Sequence, residues 1–136
     1  MIPDFSIILA GGRGTRMKVA STPKVCIPVN GIPAIQRALG IYQSCGIRQH
    51  LVIVGNQAGK VIETVGEKFS NVAYVYQKEQ LGTAHALRCV CQGLPSIPDD
   101  ADLLVVAGDR IIEPGILEQL FDKYYSNHAD LALLAL

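Results

Sequence analysis

Residues Ile8 to Lys24 read ILAGGRGTRMKVASTPK, and this stretch most narrows what the chain can fold into. An apolar run, Phe5 to Ala10, ends in three glycines within four positions, Gly11, Gly12 and Gly14. Arg13, Arg16, Lys18 and Lys24 then place positive charge in and just beyond the bend. A buried strand that stops in a glycine-rich bend exposes backbone N–H groups with no side chains over them, a cradle for phosphate oxygens. Arginine and lysine nearby supply charge-assisted donors and neutralise the anion. The motif is not a Walker loop, because Gly14 is followed by Thr15-Arg16 rather than Lys-Ser/Thr. Nor is it a dinucleotide fingerprint, whose third glycine is absent.

The rest of the chain supplies a scaffold for such a bend. With 136 residues there is room for one domain, and 49% apolar against 18% charged residues describes a chain that can bury a core. Twelve basic residues balance twelve acidic ones, so no basic excess argues for a nucleic-acid surface. No run is long enough to span a membrane, and Met1-Ile2-Pro3-Asp4 does not open a signal peptide. Cys26, Cys45, Cys89 and Cys91 lie in or beside apolar periodic segments. They are expected as reduced, mostly structural thiols of a cytoplasmic protein.

Apolar runs at 5–10, 51–54, 72–76, 102–107 and 129–136 read as strands, the first nearly continuous and therefore buried on both faces. Helical spacing separates them. Pro33 opens a helix with Ile35, Leu39 and Tyr42 inward, closed by Gly46, and Asn30-Gly31 before it marks a turn. Val61, Ile62, Val65 and Phe69 stripe a second helix over 58–69. A third begins at Gly82 with Ala84, Leu87, Cys91 and Leu94 inward, and a fourth at Pro114 with Ile116, Leu117, Leu120, Phe121 and Tyr124 inward. Strands alternating with helices predict an open, mostly parallel α/β sheet with helices on both faces. The final residues, ADLALLAL, predict a fifth strand, and with no turn or helix after them the fold looks incomplete at its C-terminal end.

In open α/β sheets ligands bind at the carboxyl ends of the strands, and the unusual residues collect there. Beyond the third strand comes Gln77-Lys78-Glu79-Gln80-Leu81-Gly82-Thr83-Ala84-His85, and beyond the fourth Gly108-Asp109-Arg110. Gln77 offers an amide, donor and acceptor together, that can read a base edge. Asp109, leaving a buried strand beside a phosphate cradle, suits a hard cation that prefers oxygen ligands. Thr83 can cap its helix or bond a ligand. His85, in a first helical turn without a paired carboxylate or cysteine, is expected to be an ordinary helix residue.

LAGGRGTRM with TPK, Gln77-x-x-x-Leu81-Gly82-Thr83 and Gly108-Asp109 together resemble the sugar-phosphate nucleotidylyltransferases, or pyrophosphorylases. QKEQLGTAHAL is similar to a loop in the uridylyltransferase domain of N-acetylglucosamine-1-phosphate uridyltransferases. The resemblance covers essentially the whole chain. It implies a Rossmann-like nucleotide-diphospho-sugar transferase fold, with residues 1–136 as the nucleotide-binding portion of the catalytic domain. It further implies magnesium-dependent transfer of UMP or dTMP from the triphosphate to a sugar-1-phosphate, releasing pyrophosphate. The partners so implied are UTP or dTTP and a sugar-1-phosphate, with no nucleic acid and no membrane. The implied nucleotide-binding residues are Ala10, Gly11, Gly12, Gly14, Thr15, Gln77, Gly82 and Thr83. Arg16 and Lys24 would hold phosphates, and Asp109 would bind Mg2+.

Two features depart from the family pattern. Many relatives carry Gly-Asp-x-Pro, whereas this chain has Gly-Asp-Arg-Ile-Ile-Glu-Pro, which weakens N-acetylglucosamine-1-phosphate as the substrate. Family catalytic domains are also considerably longer, and their later portion supplies much of the sugar pocket and a second metal ligand. A non-catalytic regulatory or assembly subunit with the same fold therefore stands as an alternative, as does cytidylyl transfer. The apolar final strand leaves homo-oligomerisation, or pairing with a missing C-terminal region, open.

Overall fold

The computed structural model describes residues 1–12 and 22–135, and Arg13, Gly14, Thr15, Arg16 and Lys18 lie outside them. The elements in order are β1 (Phe5–Ala10), β2 (Pro28–Val29), β3 (Ile32–Pro33), α1 (Ala34–Ser44), β4 (Gln49–Val54), α2 (Ala58–Gly66), β5 (Val72–Tyr76), α3 (Thr83–Gly93), β6 (Leu103–Ala107) and α4 (Pro114–Ser126). A single 3-10 turn, Lys24–Cys26, precedes β2.

Four strands form a parallel sheet in the order β5-β4-β1-β6. Strand β1 is central, with Ile8 opposite Val52 of β4 and Val106 of β6. Its continuous apolar run follows from that position, since side chains alternate between two covered faces. Ile8 and Ala10 point into a core shared with Ile35, Leu39, Tyr42, Val61, Val65, Leu117 and Phe121 of α1, α2 and α4. Ile7, with Leu51, Ile53 and Val75, faces Ala86 and Val90 of α3. The strand sequence runs outward from β1 through β4 to β5, then jumps back to β6 on β1's other side. The order therefore reverses between β1 and β6, where ligands of such sheets settle.

The expected turn at Asn30-Gly31 is the tip of a small antiparallel hairpin joining β2 to β3. Both turn residues have positive φ, 50° and 79°, as a two-residue hairpin loop requires. Arg37 of α1 donates from Nε to the Val29 carbonyl (2.6 Å) and from Nη2 to that of Asn30 (3.1 Å). The hairpin is thus tied to α1. Gly46 stops that helix at φ 99°, its N–H bonding the Gln43 carbonyl at 2.9 Å.

Three expectations about packing need correction. Residues 129–135 form no strand, and Leu131 and Leu133 are 73% and 82% exposed. An apolar run becomes a strand only when a neighbour completes its hydrogen-bond ladder, and among the described residues this one pairs with neither β6 nor any other strand. In α3 the buried residues are Ala86 and Val90, with Leu87, Cys89 and Leu94 partly buried, while Ala84 and Cys91 are exposed. Ile62 of α2 and Ile116 of α4 also face outward, 40% and 38% exposed. Among the described residues no helix is long and apolar enough to cross a membrane.

Candidate functional site

Four strand ends converge on one rim of the sheet. Ala10 ends β1 and is buried; Gly11 follows it, also buried, and Gly12 emerges to solvent. A methyl group placed on Gly11 would lie 3.2 Å from Gln80 Nε2 and 3.4 Å from Gln77 Oε1. One placed on Gly55, just past β4, would lie 2.9 Å from the Gly11 carbonyl oxygen and 3.0 Å from that of Gln77. The backbones leaving β1, β4 and β5 therefore touch, and glycine is what permits it. A bond from the Gln77 N–H to the Val54 carbonyl, 2.8 Å, holds the last of these in line.

Gln77 is only 4% exposed. Its Nε2 lies 2.9 Å from His85 Nδ1 and 3.5 Å from the Gly82 carbonyl oxygen. The chain closes this small ring because Gly82 takes φ 94°, a value glycine adopts without penalty, immediately before α3 begins at Thr83. Thr83 makes no side-chain capping bond; Gly82 occupies the cap position, and Thr83 is exposed at the rim.

On the other side of β1, Gly108 follows β6 and donates its N–H to the Leu9 carbonyl at 2.9 Å. A methyl group there would stand 3.0 Å from Val25 Cγ1 and 3.2 Å from Ile8 Cγ2. That tight fit presses the strand exit against the 3-10 turn. Val25 and Cys26 are the buried anchors of the turn, and burial pushes the Cys26 thiol above its ordinary pKa. With its neighbours anchored, Lys24 projects outward, and its Nζ meets Asp109 Oδ2 at 2.9 Å. The pair is half in solvent, the side chains being 50% and 24% exposed.

Lys24 and Asp109 are thus brought together, as are Gly11, Gln77 and Gly82. Arg16, Gly14 and Thr15 lie outside the described residues. Three participants escaped sequence reasoning. Gln80 lies over Gly11 and Gly55. Gly55 itself read only as the end of a strand. His85 is no ordinary helix residue, since it holds Gln77 and its ring nitrogens lie 4.0 Å from Cys89 Sγ. The spacing of His85 and Cys89, one helical turn apart, was the available signal.

A divalent cation can be tested against these donors. Among the described residues no cluster of three His, Cys, Asp or Glu side chains could cage a metal. Magnesium does not need one, because it keeps several waters and takes one or two carboxylates plus substrate phosphates. Asp109, a partly buried oxygen donor whose only described partner is a half-exposed lysine, fits that role.

Comparison with known proteins places the chain in a family. The sequence matches the MobA-like NTP transferase domain family over residues 6–135. It is 38% identical over 129 residues to the bifunctional protein GlmU of Pseudoalteromonas atlantica, covering 94% of this chain and 27% of that protein. It is 39% identical over 131 residues to GlmU of Lactococcus lactis, covering 96% and 27%. The chain therefore spans about a quarter of the length of these relatives. Among solved structures, a nucleotidyl transferase from Methanothermobacter thermautotroptrophicus superposes with a TM-score of 0.64 at 26% identity, over 85% of this chain and 55% of that one. HddC from Yersinia pseudotuberculosis, complexed with GMP-PN, shares the fold with a TM-score of 0.68 at 23% identity, over 93% and 54%. With its parallel sheet, its glycine-lined rim and this match along nearly its whole length, the chain belongs to the MobA-like NTP transferase domain family.

Proposed function

We propose that this chain provides the nucleotide-binding and phosphate-activating part of a sugar-1-phosphate nucleotidylyltransferase that uses UTP or dTTP. The observation that carries the reading is the convergence on one rim of a buried amide, a glycine backbone and a half-exposed Lys24–Asp109 pair. The first two suit a flat base; the last suits a triphosphate and its counter-ion. Gly11, Gly12 and Gln77 contact the pyrimidine, with Ala10, Gly82 and Thr83 lining the base and ribose. Gly14, Thr15 and Arg16 belong to the phosphate cradle by sequence, and Lys24 binds phosphate.

The reaction is attack by a sugar-1-phosphate oxygen on the α-phosphorus, expelling pyrophosphate without a covalent enzyme intermediate. Its demands are alignment and stabilisation of growing negative charge. Asp109 would hold Mg2+, which when bound supplies positive charge to the phosphate oxygens. Lys24 then exchanges its carboxylate partner for the triphosphate, an exchange its solvent exposure makes inexpensive. Free, unbridged cysteines fit a reducing, cytoplasmic setting.

Titration calorimetry with UTP, dTTP and CTP, with and without magnesium, tests the site, and pyrophosphate release with a panel of sugar-1-phosphates tests the chemistry. Magnesium-dependent binding of UTP or dTTP is expected. A chain that binds no nucleotide under any condition instead supports a non-catalytic assembly subunit, a reading favoured by the lack, among the described residues, of any group of three His, Cys, Asp or Glu side chains that could hold a metal.

A further inference from the structure

The proposed base site leaves one question open, because a glutamine amide can present either an acceptor or a donor. The geometry points to His85 as the positioning residue that decides which. Gln77 Nε2 faces two groups, Gly82 O at 3.5 Å and His85 Nδ1 at 2.9 Å. A backbone carbonyl can only accept, so the amide NH2 must be the end turned that way; the reverse orientation would set two carbonyl oxygens against each other. With the NH2 donating, Nδ1 must accept, and the imidazole is neutral with its proton on Nε2. The Cys89 thiol, 4.0 Å from both ring nitrogens, favours neither tautomer, so the amide contact alone sets it. The opposite end of the amide, Oε1, is turned towards Gly11, where a methyl group would stand only 3.4 Å from it.

His85 therefore locks Gln77 as an acceptor towards the base. The site then selects a base edge that offers a ring N–H. This rests on the UTP or dTTP reading above. Where Oε1 meets N3 of the base, uracil and thymine present a donor, N3–H, and cytosine a bare nitrogen, its own donor being N4–H2 at the next position of the edge. Against Oε1 the first makes a hydrogen bond and the second opposes two acceptors. Without His85 the long contact to Gly82 is what restrains the amide among the described residues, and the amide can then turn over and satisfy either base. Removing the histidine should cost discrimination more than affinity, a separation that a merely structural residue would not produce.

Two measurements test this. In the free protein, labelled with 15N, a coupling across the hydrogen bond between Gln77 Nε2 and His85 Nδ1 is expected, with the ring protonated at Nε2. Absence of the coupling together with a proton on Nδ1 overturns the assignment without any nucleotide. The second measurement compares UTP and CTP affinities, with magnesium, for wild type, His85→Leu, His85→Gln and His85→Lys. Wild type should prefer UTP by about tenfold or more, the scale of one unmade buried hydrogen bond. His85→Leu should bring the two within about threefold, His85→Gln should restore the preference by offering an acceptor, and His85→Lys should abolish or invert it. A preference unchanged in His85→Leu and His85→Lys overturns the role of His85 while leaving the nucleotide site standing. Failure of wild type to bind either nucleotide overturns the site itself and this inference with it.

Discussion

The two halves of the rim are built on opposite physical plans. On the β4–β5 side, Gln77 is 4% exposed and neutral, and its amide is fastened by His85 and Gly82. On the β1–β6 side, Lys24 and Asp109 are charged, partly exposed and, among the described residues, fastened to each other. A buried neutral group held in one orientation discriminates well, because a wrong partner leaves polar atoms unpaired where water cannot reach. A solvated ion pair discriminates poorly, but it rearranges cheaply when a phosphate or cation arrives. One half is suited to recognising a ligand and the other to chemistry on it.

The largest expected effect comes from breaking the charged half. Lys24→Ala should lower pyrophosphate release by the catalytically competent protein on the order of 10²–10³-fold, as loss of one active-site donor does. Its thermal midpoint should move little, because an exposed ion pair contributes at most about 1 kcal/mol. Rate assays beside calorimetric melting separate the two. Equal losses in both would mean that Lys24 props up the fold and that the proposed division is wrong.

Breaking the neutral half should show the reverse pattern, with stability falling first. A methyl group on Gly55 would sit 2.5 Å from Gln80 Nε2, which can swing aside, but also 2.9 Å from the Gly11 carbonyl oxygen and 3.0 Å from that of Gln77. Backbone cannot give way so easily. Gly55→Ala should cost about 1–3 kcal/mol, a drop of roughly 3–10 °C for a domain of this size. It should also weaken UTP binding, because the strand exits carrying Gly11 and Gln77 are pushed apart. A melting curve and a UTP titration on the same sample check both parts.

Much of this plan was legible before any coordinates. Continuous apolar runs placed β1, β4, β5 and β6, and the period of Ile35, Leu39 and Tyr42 gave the face of α1 that is buried. Pattern failed where it was ambiguous or where the answer depended on a distant partner. Helix α3 carries small or apolar residues nearly all round, so only the packing of Ala86 and Val90 against Ile53 and Val75 chooses its inward face. Residues 129–135 are apolar enough for a strand, yet strand formation depends on an available neighbour, which composition does not encode. Lys24 and Asp109 were each singled out, but nothing in their spacing announces a 2.9 Å contact. The bond from Gln77 to His85 spans eight positions across a turn whose shape depends on Gly82.

At the far end of the sheet another buried polar pair sharpens the contrast. Ser6 of β1 and His50 of β4 are register partners, joined Oγ to Nδ1 at 2.7 Å, and the other ring nitrogen, Nε2, has no partner among the described residues. Burial holds the His50 pKa below its ordinary value of 6.5. As pH falls, the unfolded chain takes up the proton first. The contribution of His50 is therefore complete above about pH 6.5 and declines as pH drops towards the folded value. Urea midpoints should fall between pH 7.5 and 5.5, and a Ser6→Ala, His50→Val double variant should flatten that part of the slope. The UTP-to-CTP preference should not follow His50, which lies away from the rim.

The smallest effect comes from a glycine that the site does not use. Gly40 lies within α1, exposed, at negative φ, and a methyl group there meets nothing within 4 Å. Unlike Gly55 it permits no close approach of backbones, and in a helix it costs conformational entropy without return. Gly40→Ala should therefore stabilise the protein by about 0.5–1 kcal/mol, raising the melting midpoint by a few degrees while nucleotide affinity stays at the wild-type value. Opposite signs for the same Gly→Ala change at positions 40 and 55 would show that the rim, and not glycine content in general, sets where this fold gives up stability for a site. Matching destabilisation at both would mean that α1 is as tightly constrained as the strand exits.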